Sequence, residues 1–265
     1  MKIGIVGCAG RMGRMLIAEV LSTAGAALAG GVEPAGPAVG QDLGTLVGAK
    51  PVGIAVGTDA RALFAASDAV IDFTVPAATK AHADLAASLG KALVIGTTGL
   101  SDDVKAAIAA AATKVVIVQA PNFSVGVNVL LALTEKLAAT LGPDYDIDIL
   151  EMHHRHKVDA PSGTALGLGE AAAKGRKVSL KNVARATRDG QVGARPVGEI
   201  GFATLRGGDV IGDHTVMFAA NGERIELVHK ASSREVFAKG AMRAALWTAG
   251  KKPGLYSMRD VLGLG

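Results

Sequence analysis

Short apolar runs alternate with alanine-rich segments over residues 2–118. The apolar runs predict strands at residues 2–6, 27–32, 69–74, 92–95 and 115–118, and the alanine-rich segments predict helices at residues 14–21, at residues 77–89 and after Ser101. Residues 34–53 are rich in glycine and proline, which predicts a loop. Strands that alternate with helices are typical of βαβ units. The pattern therefore predicts an α/β domain built on a parallel sheet.

A glycine-rich turn follows the first predicted strand. Gly7, Gly10 and Gly13 form a G-x-x-G-x-x-G pattern, with Ala9 where a second glycine is more usual. Such a turn between a strand and a helix lets the backbone approach a pyrophosphate, which then rests at the helix N-terminus. Glu33 closes the second predicted strand, where a carboxylate can bind the ribose hydroxyls of a dinucleotide. The sequence therefore predicts a Rossmann-like dinucleotide-binding domain.

Polar residues follow three further strands of this predicted sheet. They are Phe73-Thr74, Gly96-Thr97-Thr98 and Pro121-Asn122-Phe123. Each could be an ordinary turn. Ligands of parallel sheets bind at the carboxyl ends of the strands, however, so we expect these residues to line one crevice with the glycine-rich turn.

The pattern changes after a long predicted helix at residues 124–141. A polar stretch at residues 181–195 precedes two predicted strands, 200–205 and 215–219, and Asn221-Gly222 is a strong hairpin signal. These features predict an antiparallel, largely open sheet. Both predicted strands carry apolar residues on both faces, so we expect a subunit partner to cover one face. A final alanine-rich helix is predicted at residues 235–249.

The densest group of ionisable side chains lies in residues 151–165. Three histidines, an arginine and a lysine occupy residues 153–157, directly after the predicted strand 147–150. A Pro-Ser-Gly-Thr turn then leads into a predicted helix at residues 165–173, which Ser162 or Thr164 can cap. Cationic side chains and a helix N-terminus both favour an anion. We interpret this stretch as a site for a small carboxylate, with a histidine or lysine as proton donor.

Two other interpretations of residues 153–157 remain open at this point. A run of basic residues is often only a solvated face. A metal site is conceivable because His154 and His156 would project to the same side of a strand. Arg155 and Lys157 would repel a dication, and neither cysteines nor paired carboxylates lie nearby, so we expect no metal.

Composition narrows the class of protein. Of the 265 residues, 49% are hydrophobic and 20% are charged, which is typical of a globular chain. Aromatic residues make up only 3%, which disfavours the base-stacking surfaces of single-strand binders. The net charge of +4 is spread along the chain outside residues 153–157. We therefore expect acidic small molecules rather than nucleic acid as ligands.

Cysteine usage and hydropathy bear on where the protein works. Cys8 is the single cysteine, so a disulfide framework is excluded and a reducing compartment is favoured. The apolar run at residues 3–6 is too short for a signal peptide. No apolar stretch long enough to span a membrane is free of charges and glycines. We expect a cytoplasmic protein that does not bind membranes.

Taken together, these motifs resemble the dihydrodipicolinate reductase family, also called the 4-hydroxy-tetrahydrodipicolinate reductases, of bacterial and plant lysine biosynthesis. The resemblance covers nearly the whole chain. Its carriers are G-x-x-G-R-M-G at 7–13, I-D-F-T at 71–74, G-T-T-G at 96–99, N-F-S-V-G-V-N at 122–128 and E-x-H-H-R-H-K-x-D-A-P-S-G-T-A at 151–165. The last motif is long and particular to this family.

The resemblance implies a two-domain α/β enzyme. Residues 1–124 and 235–265 would form the dinucleotide-binding domain. Residues 125–234 would form an α+β domain with a mixed, largely open sheet, which binds the substrate and builds a homotetramer. The implied reaction is the NADH- or NADPH-dependent reduction of a small cyclic dicarboxylate to tetrahydrodipicolinate.

The resemblance also implies roles for single residues. His153 would donate a proton, and Lys157 would be a second catalytic residue. His154 and the backbone of Gly163-Thr164 would bind the substrate carboxylates. The cofactor would contact Gly7, Cys8, Ala9, Gly10, Arg11, Met12, Glu33, Gly96, Thr97, Thr98, Ala120, Pro121, Asn122 and Phe123.

One residue departs from the pattern of the NADPH-preferring relatives. These often carry an arginine directly after the acid that closes the second strand, and this chain has Pro34 there. We therefore expect NADH to be used as well as, or better than, NADPH. Arg11 or Arg14 could swing across to a phosphate, so we do not expect NADPH to be excluded. Two alternatives remain: another two-domain NAD(P)-dependent dehydrogenase of amino-acid metabolism, such as a semialdehyde or homoserine dehydrogenase, or a dinucleotide-sensing regulator.

Overall fold

A computed structural model describes residues 1–264 of the chain. Two compact units are present: Met1–Ser124 together with the segment from Glu235 onward, and Val125–Arg234. The strands are β1 (Lys2–Val6), β2 (Ala27–Val32), β3 (Ala69–Asp72), β4 (Ala92–Ile95), β5 (Val116–Gln119), β6 (Asp146–His153), β7 (Ala184–Arg185), β8 (Ile200–Arg206), β9 (Gly212–Ala220), β10 (Glu223–Ala231) and β11 (Gly254–Tyr256). The helices are α1 (Arg11–Ser22), α2 (Leu43–Leu46), α3 (Ala60–Ala66), α4 (Pro76–Leu89), α5 (Asp102–Ala112), α6 (Val125–Leu141), α7 (Gly163–Gly175), α8 (Leu180–Val183), α9 (Glu235–Trp247) and α10 (Met258–Leu262).

The first unit is a doubly wound parallel sheet. Its strand order is β11-β5-β4-β3-β1-β2, and every pairing is parallel. On one face Ile3, Ile5 and Ile71 are fully buried and belong to one apolar cluster with residues of α1 and α9. On the other face Val70 and Leu93 pack in a second cluster with residues of α3, α4 and α5. Strands buried on both faces explain why the runs in the sequence are continuously apolar.

The second unit is built on a mixed sheet with the strand order β10-β9-β6-β8-β7. The pairs β10–β9 and β9–β6 are antiparallel, whereas β6–β8 and β8–β7 are parallel. The expectation of a wholly antiparallel sheet from the residue pattern is therefore wrong. The reason is that α7 lies in the connection from β6 to β8 and returns the chain in the same direction, as crossover helices do. The predicted fold class, a Rossmann-like domain plus an α+β domain with a mixed sheet, is confirmed.

Strand β6 alternates strictly between a covered and an open face. Ile147, Ile149, Glu151 and His153 are buried, and the residues between them are intermediate. Ile147 and Ile149 lie in one apolar cluster with residues of α6 and α7. Because side chains alternate along a strand, Glu151 and His153 continue this covered face at the carboxyl end of β6.

The opposite face of this sheet is only partly covered within the chain. Leu205 of β8 and Val228 of β10 expose 49% and 51% of their surface. Close to the β8 edge, Arg188 and Arg195 both pair with Asp148, so the polar segment before β8 folds back onto the sheet. Coverage of the remaining face by a subunit partner stays a prediction.

Several elements differ from the sequence-based expectations. Helix α1 begins at Arg11 rather than at residue 14, which brings Gly13 into its first turns. The predicted loop at residues 34–53 contains α2, which Asp42 caps by accepting a hydrogen bond from the Thr45 N–H at 3.1 Å. The edge strand β11 was not predicted, because its three residues are too few for a periodic pattern.

Two further expectations can be checked against the fold. The hairpin prediction is confirmed, since Gly222 adopts φ 89° in the turn that joins β9 to β10. Among the described residues, no helix is both long and apolar enough to cross a membrane.

Candidate active site

The glycine-rich turn of the first unit packs closely against the first turn of α1. Gly7 adopts φ 66°, and its N–H and that of Cys8 donate to the Val32 carbonyl at 2.9 and 3.3 Å. A Cβ atom at Gly13 would collide with the Gly7 carbonyl oxygen and the Cys8 backbone. The turn therefore needs glycine at two of the three positions of the sequence pattern, one for conformation and one for close packing.

A cavity of about 720 Å³ opens beside this turn. Its lining includes Gly7, Ala9, Gly10, Glu33 and Pro34. Of the three strand exits expected to line one crevice with the turn, only Phe73-Thr74 at the end of β3 lines this cavity. Such a concave space beside a helix N-terminus can hold a nucleotide.

Cys8, Arg11 and Met12 are not among the residues that line this cavity. Cys8 is fully buried, and burial, followed by the nearby Glu33 carboxylate, raises the pKa of its thiol to about 11. Its thiol is therefore protonated and shielded from solvent, which leaves only its backbone as a possible ligand contact. Arg11 is exposed at the first position of α1.

The Glu33 carboxylate is held across the turn. Its Oε1 accepts a hydrogen bond from the Ala9 N–H at 2.6 Å. Arg14 is tied down nearby, since its Nε donates to the Ala9 carbonyl and its Nη1 to the Leu46 carbonyl, both at 2.9 Å. An acid and a restrained arginine therefore both line the cavity beside the turn.

The remaining predicted cofactor residues lie at the ends of the adjacent strands β4 and β5. Thr97, Ala120 and Phe123 are buried, Gly96 and Asn122 are partly buried, and Thr98 and Pro121 are exposed. A Cβ at Gly96 would collide with the Phe73 ring, and that ring lies 5.4 Å from the ring of Phe123. The structure therefore brings the ends of β3, β4 and β5 together, although the residues that follow β4 and β5 do not line the cavity beside the turn.

Sequence analysis missed a buried acid–histidine pair in this unit. Asp72 is fully buried at the end of β3, and its Oδ2 lies 2.8 Å from Nδ1 of His82, which lines the cavity. Burial alone would raise the pKa of Asp72, but bonds to His82 and to the N–H and hydroxyl of Thr74 outweigh it and lower the pKa. The signal was present as an aspartate in an otherwise apolar strand.

The second unit holds a carboxylate–imidazole pair at the end of β6. Nδ1 of His153 lies 2.6 Å from Oε2 of Glu151, and the two residues expose only 8% and 1% of their surface. Arg206 of β8 donates from Nη1 to Oε2 at 2.8 Å and from Nη2 to Oε1 at 2.9 Å. His214 of β9 meets His153 edge to face, with ring centroids 5.1 Å apart. Sequence analysis missed Glu151, Arg206 and His214 as partners.

The charges of this cluster follow from burial and pairing. Burial lowers the pKa of His153, and the Glu151 carboxylate offsets this only in part. Burial would raise the pKa of Glu151, yet the bonds from Arg206 and His153 and from the Ser162 N–H lower it. Burial also lowers the pKa of His214 to about 4. At neutral pH the cluster therefore contains an ionised carboxylate and a neutral His214.

The basic residues after β6 lie in a turn and not in a strand. His154 and His156 follow the end of β6, so the idea that they share one side of a strand is wrong. Their rings are 6.3 Å apart. Lys157 pairs with Asp159 at 2.8 Å, and this ion pair lowers the pKa of Asp159. Arg206 donates to the Asp159 carbonyl at 2.6 Å and anchors the turn.

Helix α7 begins next to this turn. Ser162 is its N-cap, and its hydroxyl accepts a hydrogen bond from the Ala165 N–H at 3.1 Å. The Ser162 N–H donates to Oε1 of Glu151 at 3.0 Å, and its hydroxyl also lies 3.2 Å from Nε2 of His214. Gly163 at the first helical position is exposed. The predicted proton donor and the predicted helix N-terminus therefore lie within one hydrogen-bonded group.

Family models match both halves of the chain. Residues 1–123 match the model for the dihydrodipicolinate reductase N-terminus, and residues 126–262 match the model for its C-terminus. A 4-hydroxy-tetrahydrodipicolinate reductase of Methylocella silvestris is 56% identical, with 100% of this chain and 98% of the relative covered. Another from Magnetococcus marinus is 53% identical, with 99% and 98% covered.

Solved structures show the same fold. A dipicolinate-bound dihydrodipicolinate reductase from Paenisporosarcina sp. TG-14 superposes with a TM-score of 0.77 at 23% identity, over 98% of each chain. GenD2 of gentamicin A biosynthesis, solved in complex with NAD, gives a TM-score of 0.61 at 16% identity, over 100% of this chain and 90% of that one.

We predict that Gly13→Ala weakens dinucleotide binding. Alanine favours a helix over glycine by about 1 kcal/mol, but here its Cβ would collide with the backbone of the turn, so the turn must move. We expect the Kd for NADH to rise by about tenfold or more, which is ~1.4 kcal/mol. Gly167→Ala in α7 is the control, because its Cβ would meet only Leu131 at 3.6 Å. Isothermal titration of folded Gly13→Ala that gives the unaltered Kd would contradict this assignment.

Proposed function

Because the chain belongs to the dihydrodipicolinate reductase family, we propose that it reduces 4-hydroxy-tetrahydrodipicolinate to tetrahydrodipicolinate with NADH or NADPH. The similar proteins are named after this reaction, which is a step of diaminopimelate and lysine biosynthesis. The observation that carries the proposal is the buried His153–Glu151 pair beside Lys157 and the N-terminus of α7. That arrangement supplies a proton donor and an anion site in one place.

The second unit suits a cyclic dicarboxylate. Two ring carboxylates need cationic side chains and backbone donors, and we assign His154 and the Gly163-Thr164 backbone to them. Lys157 is partly buried and pairs with Asp159, and we assign it to orienting a carboxylate or a ring nitrogen of the substrate. The solved reductase from Paenisporosarcina carries dipicolinate, a planar ring with two carboxylates, which supports this ligand class.

The first unit suits the hydride donor. We assign the cavity beside Gly7–Gly13 to the adenosine and pyrophosphate half of the nucleotide, with Glu33 at the ribose hydroxyls. We assign residues 96–98 and 120–123 to the remaining part of the cofactor. NAD(P)H supplies the hydride when it is bound.

The reaction also needs a proton. Loss of the ring hydroxyl as water leaves a conjugated imine, and hydride addition to it leaves an enamine carbanion that must be protonated. His153 is the donor that the site offers, because its imidazolium is stabilised by the Glu151 carboxylate. Lys157 would assist by holding the substrate and sharing the positive charge.

Substitution of His153 and Lys157 tests this assignment. We expect His153→Gln and Lys157→Ala to lower kcat by roughly 10²–10⁴-fold, as for lost general acids, with little change in the Kd for NADH. In the wild type, kcat should fall as the pH rises, because the donor must be protonated and burial lowers the pKa of His153. The assay follows NADH oxidation by absorbance with freshly prepared product of the preceding synthase.

Lys181→Ala is the matched control, since Lys181 is exposed in the same unit. It should retain full turnover. Near-normal turnover in His153→Gln and Lys157→Ala would refute the two catalytic roles, and no NADH oxidation by the wild type would refute the proposed reaction.

The residues near Glu33 favour NADH. A carboxylate binds both ribose hydroxyls but repels the extra phosphate of NADPH unless a cation compensates. Pro34 offers neither a cation nor an N–H. Arg14 is committed to the Ala9 and Leu46 carbonyls, so it is restrained from reaching a phosphate.

We therefore expect kcat/KM for NADH to equal that for NADPH or exceed it by about tenfold, or ~1.4 kcal/mol. Pro34→Arg should shift the preference toward NADPH without lowering kcat with NADH. Ala106→Arg is the control, because it adds the same charge at an exposed position of α5 outside the cavity and should leave the preference unchanged. A strong native preference for NADPH in steady-state kinetics would contradict this account of Glu33 and Pro34.

We further propose that the open face of the second sheet assembles the chain into a homotetramer. Leu205 and Val228, which are half-exposed on this sheet, would be buried by partner subunits. Light scattering at micromolar concentration should report four copies, and Val228→Lys should reduce that number. Leu21→Lys, an exposed apolar position on α1, should leave assembly intact. A wild-type monomer would refute the proposal.

The two alternative functions, another NAD(P)-dependent dehydrogenase and a dinucleotide-sensing regulator, are less well supported. A semialdehyde dehydrogenase needs a reactive thiolate, and the single cysteine is buried with its pKa raised to about 11. Both halves of the chain match models of a reductase, which disfavours a sensing regulator. We place the reaction in the cytoplasm, where a lone reduced cysteine and the cofactor pool are expected.

A further inference from the structure

We propose that Glu151 is a positioning residue: it fixes the proton of neutral His153 on Nδ1, makes Nε2 the atom that delivers a proton, and ties this imidazole to the N-terminus of α7. The catalytic part of this inference rests on the proposed function, whereas the position of the proton does not. The contacts of one buried carboxylate carry the argument.

Both oxygens of Glu151 already accept hydrogen bonds from fixed donors. Oε1 accepts from the Ser162 N–H at 3.0 Å, from Arg206 Nη2 at 2.9 Å and, more weakly, from the Thr204 hydroxyl at 3.4 Å. Oε2 accepts from Arg206 Nη1 at 2.8 Å. A carboxylate that is 1% exposed and surrounded by donors is ionised, and an ionised carboxylate can only accept.

The tautomer of His153 follows from that restriction. Its Nδ1 lies 2.6 Å from Oε2, so Nδ1 must carry a hydrogen, whether the ring is neutral or cationic. Nε2 is therefore the atom that gains or loses a proton when His153 changes its charge. Nε2 approaches Gly212 so closely that a Cβ there would lie 2.9 Å from it, so glycine at this position leaves room for that end of the ring.

The charges that face His153 come from every element around it. Glu151 on β6 favours the imidazolium, whereas Lys157 in the following turn and Arg206 on β8 oppose it. His214 on β9 is neutral near physiological pH, because burial lowers its pKa to about 4. Glu151 is thus the anion that keeps a protonated His153 accessible.

The same carboxylate reaches the helix. Ser162 donates its N–H to Glu151 and uses its hydroxyl to cap α7 through the Ala165 N–H. Movement of Glu151 would displace both the imidazole and the first turn of α7. The side chain of Glu151 therefore fixes the position of His153 relative to the Gly163-Thr164 backbone, which we propose binds a substrate carboxylate.

Glu151→Gln should reverse the tautomer. If the amide NH₂ of this variant took the Oε1 position, it would face three donors: the Ser162 N–H, Arg206 Nη2 and the Thr204 hydroxyl. At the Oε2 position it would face only two, Arg206 Nη1 and His153 Nδ1. His153 can relieve its part of this conflict by accepting at Nδ1 and moving its proton to Nε2. The side-chain carbonyl of this variant would then occupy the Oε1 position and still accept from the Ser162 N–H, so α7 should stay in place.

Nitrogen-15 NMR of the imidazole rings is the direct test and needs no substrate. In the wild type at a pH where His153 is neutral, we expect the Nδ1–H tautomer. In Glu151→Gln we expect Nε2–H, with kcat lowered by about 10²-fold or more, the alkaline fall of kcat moved to lower pH and KM for substrate changed little. Glu151→Asp, which retains the charge, should restore part of the kcat.

Glu170→Gln is the matched control, because it removes the same charge from an exposed position on α7. It should leave the tautomer, kcat and the pH profile unchanged. An Nε2–H tautomer in the wild type would overturn the inference without any variant. So would a Glu151→Gln protein with the wild-type tautomer and pH profile. If the tautomer changes as expected but the wild type does not reduce the substrate, the proposed function fails while the positioning by Glu151 stands.

Discussion

The second unit depends on one buried ionised carboxylate. Placing Glu151 on the covered face of β6 carries a desolvation penalty of several kcal/mol, which is offset only if both oxygens are fully paired. The pairing requires the strand register that sets β8 and β9 beside β6, since Arg206 and His214 reach the cluster from those strands. It also requires Ser162 at the N-cap of α7. Glu151 therefore links strand β8, the N-cap of α7 and the imidazole of His153 through its hydrogen bonds.

The first unit shows a parallel constraint in its backbone. Its turn is compressed between β1 and α1, and Gly13 permits that approach. Glu33 then closes the turn by binding the Ala9 N–H. In both units, then, a carboxylate from the end of a strand binds a backbone N–H at or near the start of a helix, and the proposed ligand groups lie beside that contact.

Local patterns made much of this structure predictable. The glycine-rich turn, five of the six strands of the first sheet, the cap at Ser162 and the Asn221-Gly222 hairpin all depend on residues close in sequence. Arg206 and His214 could not be predicted, because their role depends on the register of strands more than fifty residues from Glu151. The parallel pairing of β6 and β8 was missed for the same reason. The Asp72–His82 pair could not be predicted either. Asp72 ends β3 and His82 lies on α4, and the hydrophobic periodicity of the two elements does not show that these side chains meet.

The central claim is that the chain performs one reduction, with a hydride from the nucleotide and a proton from a protein acid that exchanges with water. Mass spectrometry of the product formed with NADH fully deuterated at C4, in ordinary water, tests it most directly. The account predicts one deuterium per product molecule, and, with unlabelled NADH in heavy water, no deuterium at the carbon that accepts the hydride. A product without deuterium from the labelled cofactor would contradict the account.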